Sequence, residues 1–144
     1  MAALADNRDT LERASGNSQL FAEVGTDSTQ YYKGGIVCIS TATGKVVKGA
    51  TATTQIAIGR CEENYLTGTS NTRKIKARIG CFKYGNSAAA DAIAADDIGK
   101  ACYVVDDQTV ALTDGTGTRS RAGIVAGVDS DGVWVQFTLN ASIS

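Results

Sequence analysis

Fifteen Asp and Glu residues, four cysteines and five tyrosines could carry chemistry in this chain, and histidine is absent. The side chain most used for proton transfer near neutral pH, and the commonest metal ligand, is therefore missing. Neither a Ser-His-Asp nor a Cys-His arrangement can be built. Catalysis would have to rest on carboxylates, lysine or tyrosine alone. Glu62-Glu63, Asp96-Asp97 and Asp106-Asp107 are adjacent pairs, and neighbours on a strand point to opposite faces, so they form no catalytic dyad. The expectation is a protein that is not an enzyme and holds no cofactor or metal.

Cys38, Cys61, Cys81 and Cys102 each lie in or beside an apolar run, and none forms a CxxC pair. The usual structural zinc spacing is absent. Two disulfides are possible, in three pairings. The start, "MAALADNRDTLERASG", is polar and acidic with no apolar core of a signal peptide. A cytoplasmic origin keeps thiols reduced, so four free, buried cysteines are expected. No stretch approaches the roughly 20 apolar residues of a membrane span.

Two loops look like ligand motifs and fail on spacing. "DGTGTRSRAG" has no GK[ST] and no following helix, so it is no phosphate loop. "VDSDGV" places Asp129 and Asp131 before Gly132 but lacks the later calcium ligands. Asp and Gly there serve a hairpin turn. The basic run Arg73 to Lys83, with Phe82 and Tyr84 in line and Tyr31-Tyr32 elsewhere, could suit a single-strand nucleic-acid binder of the OB type. Against that stands a net charge of −1, which weakens any phosphate footprint.

The charges are segregated. Residues 1 to 30 carry Asp6, Asp9, Glu12, Glu23 and Asp27 against Arg8 and Arg13. Residues 73 to 83 hold Arg73, Lys74, Lys76, Arg78 and Lys83 with no acid, and residues 91 to 114 are again acidic. Opposite patches favour docking to copies of the same chain or to a patterned partner.

The elements that must position these residues are strands. "GGIVCIS", "VVKG", "TQIAIGRC", "RKIKARIGCFKY", "ACYVVDDQTVAL" and the final "RAGIVAGVDSDGVWVQF" read as short strands and hairpins. In "RKIKARIGCFKY", Ile75, Ala77, Ile79 and Cys81 fall on one side and Lys74, Lys76 and Arg78 on the other. "GNSAAADAIAADDIGK" is the one helix candidate, or else a loop. About eight strands with 16 glycines and no proline predict an all-β sandwich or small barrel. Residues 1–30 show no period beyond a short helix candidate, "DNRDTLERA". They read as an extended arm with apolar anchors at Leu11, Leu20 and Phe21, attached to a β-rich domain at 31–139 and a tail at 140–144.

From "IAIGRCEENY" to "VWVQF", over residues 55 to 138, the chain resembles the capsid-decoration (cement) proteins of tailed bacteriophages. The pattern comprises Gly80, the Ala-rich stretch Ala88 to Ala95, Gly99 to Val104, Ala122 to Gly127 and Val133 to Gln136. The resemblance implies a β-barrel or β-tulip-like domain on the capsid exterior, made in the host cytoplasm. It implies bridging of neighbouring major capsid protein subunits, commonly as a homotrimer. Leu11, Leu20, Phe21, Lys74, Lys76 and Arg78 are the expected interface residues, to capsid or to a neighbouring protomer. The OB-like nucleic-acid module is the alternative.

Overall fold

The computed structural model describes residues 2–14 and 19–137. Among the described residues thirteen strands run in chain order: β1 (Glu12–Arg13), β2 (Gln19–Val24), β3 (Gln30–Tyr31), β4 (Ile36–Ser40), β5 (Val46–Lys48), β6 (Gln55–Cys61), β7 (Tyr65–Leu66), β8 (Lys74–Ile79), β9 (Cys81–Asn86), β10 (Ala101–Asp106), β11 (Thr109–Ala111), β12 (Arg121–Asp129) and β13 (Gly132–Gln136). The described residues contain no α-helix. The protein is all-β.

One sheet closes on itself. Its order is β9-β11-β10-β12-β13, and β13 pairs back onto β9 through Val133↔Tyr84 to Gln136↔Cys81. A closed ring has no exposed edge to manage. β11 runs parallel to β9 and covers only Gly85 and Asn86, and β1 fills the same edge further back at Cys81 and Phe82. The second sheet has the order β2-β8-β6-β4-β5. A single parallel bridge, Gly25↔Val46, draws its two outer strands together at one end.

Two buried clusters result, and they explain why some runs do not alternate. Ile36 and Cys38 of β4 face the larger cluster, with Phe82, Tyr84, Val104, Val135 and Phe137, while Val37 faces the smaller one, with Tyr31, Val46, Ile58 and Ile75. A strand buried on both faces reads as a continuous apolar run, which is what "IVCI" is. β8 is buried on one face only and alternates.

"RKIKARIGCFKY" is two strands rather than one. At Gly80 the chain leaves the second sheet, where Ile79 pairs with Gln19, and enters the ring, where Cys81 pairs with Gln136. The Ala-rich stretch forms two short 3-10 turns, Ala89–Asp91 and Ala95–Asp97. Side chains hold it in place of a helix. The Asn86 amide exchanges two 2.8 Å hydrogen bonds with the Ile93 backbone, and the Asp97 carboxylate accepts from the Ala94 N–H at 2.9 Å.

The largest departure concerns residues 1–30, expected as an arm. Their described part is built into both sheets, and the boundary at 30/31 falls inside β3. "DNRDTLERA" forms no helix because its backbone groups are taken elsewhere. Arg8 N–H donates to the Lys33 carbonyl at 2.7 Å, and the Leu11 carbonyl accepts from Lys83 N–H at 3.1 Å. Leu4 N–H donates to Asp107 Oδ1 at 2.7 Å, and β2 pairs with β8 along all six of its residues. The boundary at 139/140 and the tail 140–144 lie outside the described residues.

All four cysteines are free and buried, as expected. Burial pushes the thiols of Cys38 and Cys102 up to about 12 and that of Cys61 to about 11. Iodoacetamide at neutral pH should therefore label the native protein weakly, and all four sites on denaturation without reductant, as read by intact mass.

Gly34 shows how tightly the first residues are bound in. It has φ +95°, and a Cβ there would lie 2.0 Å from the Arg8 carbonyl oxygen. Gly34→Ala should cost about 2 kcal/mol or more in the full chain, because both backbone strain and this clash oppose it. With residues 2–10 deleted the clash is gone, so the same substitution should cost only about 1 kcal/mol. A double-mutant cycle from urea melts measures the coupling.

Candidate interaction face

Lys74, Lys76 and Arg78 alternate along β8 and share one of its faces. Its register with β2 sets Leu20 opposite Arg78, Ala22 opposite Lys76 and Val24 opposite Lys74. Directly opposed residues share a face, so an apolar row and a basic row stand side by side on the outer surface of the second sheet. Leu20 is 62% exposed, and Lys74 and Lys76 are exposed as well. Sequence reading named these residues separately; the antiparallel pairing brings them together.

Two of the expected interface residues do not join them. Phe21 points inward and packs, partly buried, against both clusters, so it belongs to the fold and offers no docking anchor. Leu11 is exposed but sits by β1 against the ring, beside Lys83. Arg78 lies on the face but is held at its edge.

What holds Arg78 is Glu62. Arg60 of β6 and Arg78 of β8 are directly opposed, an unfavourable cross-strand pair of like charges. The Glu62 carboxylate accepts from Arg60 Nε at 2.7 Å, Arg60 Nη2 at 3.1 Å and Arg78 Nε at 3.0 Å. Arg60 also donates to the Thr10 carbonyl at 2.7 Å and stacks over Phe82, 4.4 Å from the ring centroid. Burial alone would raise the Glu62 carboxyl, but the hydrogen bonds from Arg60 and Arg78 outweigh it and hold it below the ordinary glutamate range. Sequence reading saw Glu62 only as half of an adjacent acid pair; the signal was Arg60 two residues earlier.

Beside this cluster is a cavity of about 320 Å³ lined by Arg8, Asp9, Thr10, Lys33, Gly34, Arg60 and Glu62. The Thr10 hydroxyl donates to the Gly34 carbonyl at 2.6 Å, and Arg8 Nη1 donates to Thr10 Oγ1 at 3.2 Å and to the Lys83 carbonyl at 3.0 Å. Its lining offers charged and hydrogen-bonding recognition.

The calcium-like turn is filled by an ammonium. Lys83 Nζ lies 3.0 Å from Asp129 Oδ2 and also contacts Asp131 Oδ1. These hydrogen bonds depress both carboxyls and raise the lysine. Among the described residues, no three His, Cys, Asp or Glu side chains are grouped to hold a metal ion. Three of the four aromatics of the OB-type reading are also accounted for, and the fourth, Tyr32, is half-buried with Lys48 Nζ 5.7 Å from its ring centroid. Phe82, Tyr84 and Tyr31 are fully buried, and Tyr84 donates to the Gly34 carbonyl at 2.8 Å. No stacking platform is formed by them on the basic face. No helix among the described residues is long and apolar enough to cross a membrane.

Comparison with known proteins returns no match to any family model, curated protein or solved structure.

Glu62→Ala should destabilise the fold by about 2–3 kcal/mol, because it removes the carboxylate shared by the opposed Arg60 and Arg78 and leaves Arg60 with Glu12, 4.0 Å away. A depressed carboxyl contributes its full stability above the ordinary glutamate value of about 4.3 and loses it as pH falls through the folded value. The stability gap between parent and variant should therefore be full at pH 6 and shrink towards pH 3. Urea melts at several pH values measure it.

Proposed function

We propose that this chain is a structural docking protein, a capsid-decoration protein of a tailed bacteriophage. In this reading it binds the outer surface of the shell and stabilises it by bridging neighbouring major capsid protein subunits, as a homotrimer, after synthesis in the host cytoplasm. It has no catalytic role and takes no cofactor. The observation that carries the proposal is the outer face of the β2–β8 pair, where an exposed apolar row adjoins the basic residues Lys74 and Lys76. A rigid, charged sheet face needs no pocket chemistry to do such work; it needs area and complementary charge spread over several partners. The resemblance over residues 55–138 supplies the kind of partner.

The interior fits the same role. A ring without open edges, joined to a second sheet through β8 and β9, can be carried on a surface without offering many edges for misassembly.

Co-sedimentation with empty mature capsids of the parent phage tests the proposal. The parent protein should sediment with capsids and raise their resistance to heat, and Lys74→Ala with Lys76→Ala should lower occupancy at least ~10-fold, mainly through slower association, and reduce its salt dependence. Absence of binding at micromolar concentration would overturn it. Sub-micromolar binding to a single-stranded oligonucleotide at physiological salt, with a steep salt slope, would favour the nucleic-acid alternative instead.

A further inference from the structure

β2 is the outer strand of the second sheet, and its backbone geometry shows which groups it leaves open. Gly25 N–H donates towards β8, to the Arg73 carbonyl at 3.1 Å, while Thr26 N–H donates the other way, to the Val46 carbonyl at 3.1 Å. Alternation along a strand then aims the backbone groups of Phe21 and Glu23 at β8, and those of Leu20, Ala22 and Val24 away from it. β5 meets this outer edge only at Gly25 and Thr26. The Val24 N–H is taken by the Glu23 carboxylate at 3.1 Å. At Leu20 and Ala22, no described residue receives the outward N–H or donates to the outward carbonyl.

An open edge of this kind is normally blunted by lysine, proline or a bulge on the edge strand itself. β2 has none of these: its sequence is QLFAEV and its register to β8 is unbroken. The lysines lie one strand further in. Lys74 and Lys76 have no carboxylate partner among the described residues. Only the short side chain of Ala22 stands between Lys76 and the edge. A strand added beside β2 would lie about 9.6 Å from β8, within the combined reach of a lysine and a glutamate across Ala22.

We infer that the outer edge of β2, open among the described residues, is a strand-addition site for an extended, acidic segment of a partner protein. Main-chain hydrogen bonds at Leu20 and Ala22 would hold the segment, and its outward carboxylates would pair with Lys74 and Lys76. A second copy of this chain fits less well. Pairing β2 with its own copy would place two basic β8 rows on one continuous sheet face, with nothing acidic between them. The inference deepens the shell-docking proposal by naming the contact, and it rests on that proposal only for the partner's identity.

The probe is a blocked peptide of about seven residues alternating Glu and Val, with a Lys-for-Glu peptide as control. It is titrated into the full-length, isotope-labelled protein by NMR with amide exchange. The expected result is binding of the acidic peptide alone, with exchange slowed at least ~10-fold at Leu20 and Ala22 and affinity falling as salt rises. Ala22→Pro removes an outward N–H without removing a bond to β8, so it should weaken binding at least ~10-fold while the spectrum elsewhere stays folded. Lys74→Glu with Lys76→Glu should shift preference to the lysine peptide. Equal binding of both peptides, binding indifferent to Ala22→Pro, or no binding would each overturn the inference. So would concentration-dependent self-association that protects the same amides without peptide. Capsid binding that survives Ala22→Pro would sink this edge while leaving the shell proposal standing. Peptide binding without capsid binding would do the reverse.

Discussion

The carbonyl and amide of one residue, Gly34, tie together three parts of the chain. Its N–H donates to Cys61 at the end of β6, and its carbonyl accepts from the Tyr84 hydroxyl of the ring and from the Thr10 hydroxyl of the first segment. Its positive φ and missing Cβ let Arg8 approach to where a side chain would otherwise stand. Buried polar groups must find partners, and here the phenol of a core tyrosine and a threonine hydroxyl of the leading segment satisfy the same oxygen. Much else is arranged around this contact. Tyr84 is held upright against Phe137, with ring centroids 5.9 Å apart, Arg8 lies over the Tyr84 ring at 5.2 Å, and Thr10 is placed so that its carbonyl receives Arg60.

The strand content was legible because the patterns were local. The turn between Asp129 and Gly132 and that at Asp107-Gln108 both join strands as their Asp and Gly residues suggest. Alternation in β8 named its exposed face correctly: Lys74 and Lys76 out, Ile75 and Ala77 in. What was not legible depends on long-range pairing. Nothing near Glu12 or Leu20 indicates that residues more than fifty positions later complete their ladders. A lone glycine inside an alternating run, Gly80, gave no sign that the two halves enter different sheets. The segment 1–30 lacked periodicity because β2 is an edge strand with one face half-covered, and because residues 2–10 are held by backbone and side-chain hydrogen bonds in place of a buried stripe.

The same distinction applies to the interaction face. Leu20 and the basic residues were each visible as unusual, but their adjacency is a property of register. Phe21 looked equivalent to Leu20 in sequence, and the pleat sends it to the opposite side. Glu62 was hidden for a related reason. Its role is set by Arg78 across a strand pair, and that pairing starts at Arg60, just past the register shift where Ile58 is skipped in the ladder to β4. Gly59, with φ +129° and no space for a Cβ beside the Arg78 carbonyl, lets β8 approach there.

The pairing of early strands with late ones also fixes an order of events during synthesis. As the chain leaves the ribosome, β4, β5 and β6 can find one another at once, whereas β1 and β2 have no partners until Lys74–Asn86 has emerged. The ring cannot shut until Gly132–Gln136 is made. Phe21 therefore waits for β8 before it is covered, and the ring for its last strand, the regime in which non-local β-pairing is slow and nascent chains depend on being kept apart.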